Sequence, residues 1–479
     1  MLDALRDLWA TLLALPHLKL YLTAGWLVYL LGLGGWIVLQ KREPAATLSW
    51  LISLAALPYV GFVIYYLLGP QRIHRQRLRR VRARAKLPPL PEGFKPSADA
   101  IELARLGQAT TGLPPTSATD ARLLVDGGSK YVALLADVAV AREHIHLEYY
   151  IFYPDRTGTA LRDALVERAR AGIKVRLLLD AVGSGKTPAR FFDDLRMAGG
   201  EIAWFHPMRF GLRIWERPWL NLRTHRKIVV IDGRIAYTGG INITDEEDER
   251  LRSDAYRDLH LRLEGNVVSS LQLVFIEDWA YATGEAPLTL PTLAPQKGKV
   301  PVQVLVSGPD SSWEAIHRLY VGAIHSAVRR VWLATPYFVP GEAARMALTS
   351  AALGGLDVRL LVPRVSDSWL VTLAARSYFD ELLAAGVRIY EYGPRMLHSK
   401  ALLCDDDLVI IGSANFDHRS FRLNFEVSLL FRDAALSNEL ALLMESECGG
   451  SVCVPANRAR LPLRSRLAEA LARLVSPLL

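Results

Sequence analysis

The chain has 479 residues, 51% of them apolar, with 57 basic against 49 acidic side chains and three cysteines. That length exceeds one ordinary domain, the composition excludes a disordered chain, and Cys404, Cys448 and Cys453 give no even disulfide framework, which fits a reducing compartment. The net charge of +8 is local: Arg72, Arg75, Arg77, Arg79, Arg80, Arg82, Arg84 and Lys86 carry it with no acid among them, so the balanced remainder argues against a nucleic-acid-binding face.

In chain order, residues 1–19 space Leu2, Leu5, Leu8, Trp9, Leu12 and Leu13 as a short amphipathic helix suited to a membrane surface. No small-residue cleavage site comes after it, so a secretory signal is not expected. Leu20 to Leu39 and Thr47 to Leu68 carry no charge, and each is long enough for about 30 Å of hydrocarbon. Trp26, Trp36, Trp50, Tyr65 and Tyr66 fall largely near their ends. Segment 1–71 therefore reads as a helix followed by a transmembrane hairpin over 20–39 and 47–68. Lys41 and Arg42 in its turn, against eight cations after it, place the rest of the chain in the cytoplasm. Residues 72–119 read as a basic segment able to lie on anionic headgroups, then a linker with Pro88, Pro89, Pro91, Pro96, Pro114 and Pro115.

From 120 the pattern is α/β, in two similar stretches, 120–295 and 296–455. The first predicts strand 144–153, helix 159–171, strand 173–180, helix 189–198 and a strand from His225. The second predicts strand 330–338, helix 342–352, strand 357–362, helix 370–385 and a strand from His398. The strands read as mostly buried, which implies mixed sheets packed on helices. Residues 205–220 interleave aromatics, including Trp215 and Trp219, with Arg209, Arg213 and Arg217; they read either as a lip at a cleft mouth or as a packed loop. Residues 456–479 predict a basic amphipathic helix with Leu463, Leu467, Leu471 and Leu474 near one face, read as a docked cap more than as a membrane contact.

One pattern occurs twice. His225-Arg-Lys227, an apolar run, Asp232 and then Gly239-Gly240-Ile241-Asn242 return as His398-Ser-Lys400, an apolar run, Asp405 and Gly412-Ser413-Ala414-Asn415, every counterpart 173 positions later. On a strand, positions i and i+2 share a face, so each copy offers an imidazole and an ammonium to one cleft. Two histidines beside two lysines repel a dication but suit a phosphate, one histidine attacking phosphorus while the other protonates the leaving oxygen. No metal and no cofactor are expected.

The doubled motif resembles the phospholipase D superfamily over roughly residues 120–450. The resemblance implies two pseudo-symmetric α/β halves with the active site between them, a phosphohistidine intermediate, and an acid behind each histidine. Glu426 matches that acid in the second half and Asp258 in the first, Glu426 being expected behind His398. It assigns catalysis to His225, Lys227, Asp232, His398, Lys400 and Asp405, and phosphate binding to Asn242, Ser413 and Asn415. Gly240 stands where Ser413 stands, so one hydroxyl donor to the phosphate is expected to be missing. Pro44-Ala-Ala-Thr47, Tyr65-Tyr66 and Ser476-Pro-Leu-Leu479 further resemble the bacterial cardiolipin synthases. They imply a multi-pass inner-membrane enzyme that joins two phosphatidylglycerols and releases glycerol, with anionic membrane lipids as partners, no nucleic acid, and self-association left open. A membrane-bound hydrolytic phospholipase D and, behind it, a membrane-anchored nuclease remain as alternatives.

Overall fold

A computed structural model describes residues 17–39, 44–57, 100–206, 222–285, 288, 296–311, 313–456, 458 and 462–475. The chain divides into two compact units. The first contains the helices Leu18–Leu39 and Pro44–Ala56; everything described from residue 100 onward belongs to the second. The first predicted span thus falls on a 22-residue helix, whereas the second is described only as far as Leu57. Among the described residues no helix is long and apolar enough to cross a membrane. The amphipathic start, the basic run 72–86, most of 205–220 and Ser476-Pro-Leu-Leu479 lie outside the described residues.

The strands of the second unit are β1 (Thr116–Ala118), β2 (Asp120–Val125), β3 (His144–Tyr149), β4 (Lys174–Asp180), β5 (Glu201–Phe205), β6 (Arg223–Thr224), β7 (Ile228–Ile231), β8 (Ile235–Gly239), β9 (Leu259–Glu264), β10 (Val300–Ser307), β11 (Arg330–Ala334), β12 (Phe338–Val339), β13 (Asp357–Pro363), β14 (Arg388–Tyr392), β15 (Ala401–Cys404), β16 (Leu408–Gly412), β17 (Phe416–Asp417), β18 (Asn424–Arg432) and β19 (Ser451–Cys453). One sheet runs β2-β9-β8-β7-β3-β4-β5 and the other β1-β10-β18-β16-β15-β11-β13-β14-β19. Without β1 and β19 the second order repeats the first strand for strand. The senses repeat too: three parallel neighbours (β3, β4, β5; β11, β13, β14) followed by antiparallel ones. The duplication read in the motifs is therefore a duplication of topology.

The motif strands show why the apolar runs sit where they do. Ile228 and Val230 of β7 enter the core between the sheets while Val229 and Ile231 enter the outer core of the first half. Ala401 and Leu403 of β15 likewise enter the shared core, and Leu402 and Cys404 the outer core of the second half. A strand buried on both faces reads as a continuous apolar run, and such a run comes after each lysine. The expected strands from His225 and His398 in fact begin at Ile228 and Ala401.

Asp232 and Asp405 close these strands at the end away from the histidines. Both adopt left-handed backbone, φ 52° and 53°, which Asp tolerates better than most residues. Asp232 accepts from the N–H groups of Arg142, Glu143 and His144, and Asp405 from those of Val328, Arg329 and Arg330. Each thus ties its hairpin to the start of the neighbouring antiparallel strand, β3 or β11, so the catalytic assignment of these two aspartates is corrected to a structural one.

Other boundaries also shift. Helix 370–385 is two helices, Trp369–Arg376 and Phe379–Ala384, and 189–198 begins as a 3-10 turn, Ala189–Phe192, before Asp193–Met197. The expected linker up to 119 contains the helix Ile101–Thr111 and β1, both of which pack on the second half: Leu103 joins its core and β1 pairs β10. Replacing Asp232 by Ala removes the shared acceptor of three amide donors, two of them open to water, and should cost about 1–2 kcal/mol. Thermal melting should register that loss while the folded fraction keeps its turnover.

Candidate active site

The halves meet at the site through backbone pairing across their boundary. β6 runs parallel to the start of β18, with Arg223 opposite Asn424 and Thr224 opposite Phe425, and the His225 N–H donates to Phe425 O at 2.9 Å. The reciprocal contact joins Arg257 to Leu397, with the His398 N–H donating to Arg257 O at 2.7 Å. One residue further along, Glu426 therefore comes up beside His225 and Asp258 beside His398. His225 Nδ1 lies 3.0 and 3.1 Å from the two Glu426 carboxylate oxygens, and His398 Nδ1 lies 2.6 Å from Asp258. Each acid serves the histidine of the other half, which corrects the expectation that Glu426 backs His398. The expectation failed because it paired residues by sequence half, and the pairing is made by strands that cross between halves.

A carboxylate at Nδ1 fixes the tautomer and leaves Nε2 for chemistry. Both imidazoles line one cavity of about 430 Å³. Burial pushes the His225 imidazole down to about 4, helped by the charges of Lys227 and Lys400 and opposed by Glu426, so at neutral pH it is unprotonated. Burial alone would raise the Glu426 and Asp258 carboxyls. His225, Lys227 and Ser413 outweigh it at Glu426, and Lys400 with His398 at Asp258, leaving both lowered and ionised.

The two lysines lie behind the cavity wall rather than in it. Lys227 Nζ donates to His225 O at 2.8 Å; Lys400 Nζ is 2.8 Å from His398 Nδ1 and 3.3 Å from Asp258. Burial, then Lys400's charge against Glu426's, brings Lys227 down to about 7. Ser413 is also displaced from its expected role: fully buried, its hydroxyl donates to Glu426 and accepts from Val427 N–H at 3.0 Å. Gly240 occupies the matching place against Asp258, where a Cβ would come within 2.2 Å of the carboxylate. The asymmetry of Ser413 and Gly240 therefore bears on the carboxylates and not on the phosphate.

Asn242 and Asn415 do line the cavity. The Asn242 amide is spoken for, donating to Glu247 at 2.6 Å and accepting from Ile151 N–H. The side-chain oxygen of Asn415 is buried with no protein partner, which leaves one acceptor unpaired at the cavity wall. Glu247, Asp258 and His398 are the group among the described residues whose ligand atoms converge, within 4.8 Å. The Lys400 ammonium 3.3 Å from Asp258 opposes a dication there.

Several cavity residues were not foreseen. Arg223 and Arg419 line it on the side of Tyr150, whose ring meets His225 edge-on at 5.0 Å. Tyr256, Tyr337, Asp367 and Glu246 line it around His398, Tyr337 donating to Asp367 at 2.8 Å. Tyr150 and Tyr337 come just after the ends of β3 and β11, a position where α/β sheets hold ligands, and Arg223 stands two residues before His225. Those signals were present in the sequence. Arg226 was also missed: buried, it pairs with Asp278 and donates to Glu426 O at 3.1 Å, bracing the acid from behind.

Two α/β halves that each lend a histidine to one cleft, and an acid to the other's histidine, define a phospholipase D-type enzyme. A family model described as "Cardiolipin synthase, PLD-like domain" matches residues 134–252 and 320–447, and one described as "Phospholipase_D-nuclease N-terminal" matches 26–70. The chain is 41% identical to a cardiolipin synthase of Geobacillus kaustophilus, covering 92% of this chain and 91% of that one. It is 35% identical to cardiolipin synthase 1 of Bacillus anthracis over 98% and 96%. The chain belongs to the cardiolipin synthase family. Its fold is also that of a phosphatidylserine synthase from Haemophilus influenzae, at 13% identity, TM-score 0.60, and 79% and 100% coverage.

Replacing Glu426 by Gln should lower turnover by about 10²–10⁴-fold with little change in melting temperature, because the His225 tautomer is lost while the packing is kept. The free enzyme needs His225 neutral and Lys227 charged, so kcat/KM should rise through about pH 4 and fall through about pH 7. In Lys227→Arg the lysine's part of the upper limb should disappear, since guanidinium does not titrate there, and the pH profile should register the change in that limb's position.

Proposed function

We propose that the protein transfers a phosphatidyl group from one phosphatidylglycerol to another. The observation that carries this is a single cleft holding two histidines, each with a buried carboxylate at Nδ1, in a chain of this family. His225 Nε2 attacks phosphorus; the bond to the departing glycerol oxygen breaks and His398 supplies its proton. An acceptor hydroxyl then gives its proton to His398 while its oxygen displaces His225, forming the second phosphodiester. His225 suits the first role because its site keeps it neutral. Arg223 and the Nδ2 group of Asn415, the donor end of its amide, hold the non-bridging oxygens, and the buried lysines supply positive potential without touching the substrate. One phosphodiester replaces another, so no nucleotide or other cofactor is needed.

The uncharged runs from Leu20 and from Thr47, with the charge step between Lys41-Arg42 and residues 72–86, support a multi-pass hairpin in a bacterial cytoplasmic membrane with the catalytic region on the cytoplasmic side. Reconstituted protein given labelled phosphatidylglycerol in EDTA should yield cardiolipin and free glycerol. Phosphatidic acid as the main product would mean water is the acceptor, and loss of activity in EDTA would overturn the metal-free mechanism.

The division of roles has its own test. A phosphatidyl ester of p-nitrophenol needs no acid for its leaving group. His398→Ala should still release one equivalent of nitrophenol in a burst, and His225→Ala none; the reverse pattern would assign the nucleophile to His398.

A further inference from the structure

The C-terminal helix Leu463–Val475 docks on the face opposite to the one its sequence marks as apolar. Glu469 and Ala472 are buried; Glu469 pairs with Arg458 at 2.7 Å, and the guanidiniums of Arg458 and Arg473 cover the rings of Phe379 and Tyr378. The helix is thus fastened by charge and stacking to Trp369–Arg376 and Phe379–Ala384. Its leucines point away: Leu463, Leu467, Leu471 and Leu474 are 79, 56, 55 and 76% exposed. At about 100° per residue they form one stripe roughly opposite the docked side, with the exposed Arg464 on one flank and Arg466 on the other.

We propose that this stripe is a bilayer-contacting surface for anionic lipid, placed beside the cleft. Four observations converge on that occupant. An apolar stripe edged by arginines is the pattern that lies in a headgroup region, the leucines entering the acyl boundary and the cations meeting lipid phosphates. The one acid of the helix is turned inward and neutralised, so the outer face is purely apolar and basic. The helix it rests on, Trp369–Arg376, lines the cleft with Val371 from its first turn, as do Asp367 and Ser368 just before it, and carries Trp369 at 73% exposure. Finally, a cavity of about 430 Å³ accommodates a glycerol–phosphate–glycerol headgroup but not acyl chains, which must stay in the bilayer while the phosphorus reaches His225. This last point rests on the phosphatidyl-transfer reading; the contact itself does not.

The full chain is placed in nanodiscs of phosphatidylglycerol, in a His225→Ala, Cys453→Ser background that removes turnover and the exposed native thiol. Leu471→Cys carries an environment-sensitive fluorophore. Quenching by nitroxides on the lipid acyl chains, weaker in phosphatidylcholine discs, is the expected result. Quenching by a water-soluble agent alone overturns the proposal, as does concentration-dependent shielding from both quenchers, which would make the stripe a contact with a second copy. For function, Leu467→Asp with Leu471→Asp should cut turnover of bilayer phosphatidylglycerol about tenfold or more and spare a monomeric short-chain phosphatidylglycerol, and Leu467→Trp with Leu471→Trp should restore it. Equal loss on both substrates overturns the surface role, whereas wild-type protein inactive on both would count against the transfer reading alone.

Discussion

The active site depends on two buried carboxylate–imidazole pairs that cross from one half of the fold to the other. Unpaired, Glu426 and Asp258 would be ionised groups stripped of water, a cost of several kcal/mol each. Paired with His225 and with His398 and Lys400, both are held ionised. The pairing is possible because β6 adds to the head of β18 and Arg257 bridges Leu397. Docking of the halves and assembly of the catalytic groups are consequently one event.

Around those pairs the repeated topology is close and the chemistry is not. Ser413 hydrogen-bonds Glu426 where Gly240 merely abuts Asp258; Arg226 braces Glu426 from behind, and Ser399 stands in its place in the second copy. Asn415 keeps a side-chain oxygen without a protein partner, whereas the Asn242 amide is held by Glu247. These differences give the two imidazoles different surroundings without altering the strand order that presents both.

Much of this was legible from residue order because local periodicity and spacing carry it. The strand and helix alternation and each copy of the motif come from patterns within a few tens of residues, and the copies are recognised because their internal spacing is the same. What failed was non-local. No spacing tells that Glu426 lies beside His225, 201 positions away. Nor does spacing tell that Ser413 turns to a carboxylate, or that the lysines sit behind the wall. Asp232 and Asp405 misled for a different reason: they repeat with the motif, but what they bind is the backbone of the neighbouring strand, at the far end of β7 and β15 from the cleft. In the last helix the leucine periodicity identified a face correctly, while the side that docks was chosen by Glu469, paired with Arg458 just before the helix, and by Arg473, whose ring partner Tyr378 is distant in sequence.

The crossed acids also change how variants of this chain are to be read. A substitution near residue 426 is adjacent in sequence to the second motif but takes its effect at the first histidine, and one near residue 258 does the opposite. A map of variant effects grouped by sequence neighbourhood would therefore attach each carboxylate to the wrong chemical step. Grouped by hydrogen bond, Ser413, Asn424 and Arg226 all belong with His225 through Glu426.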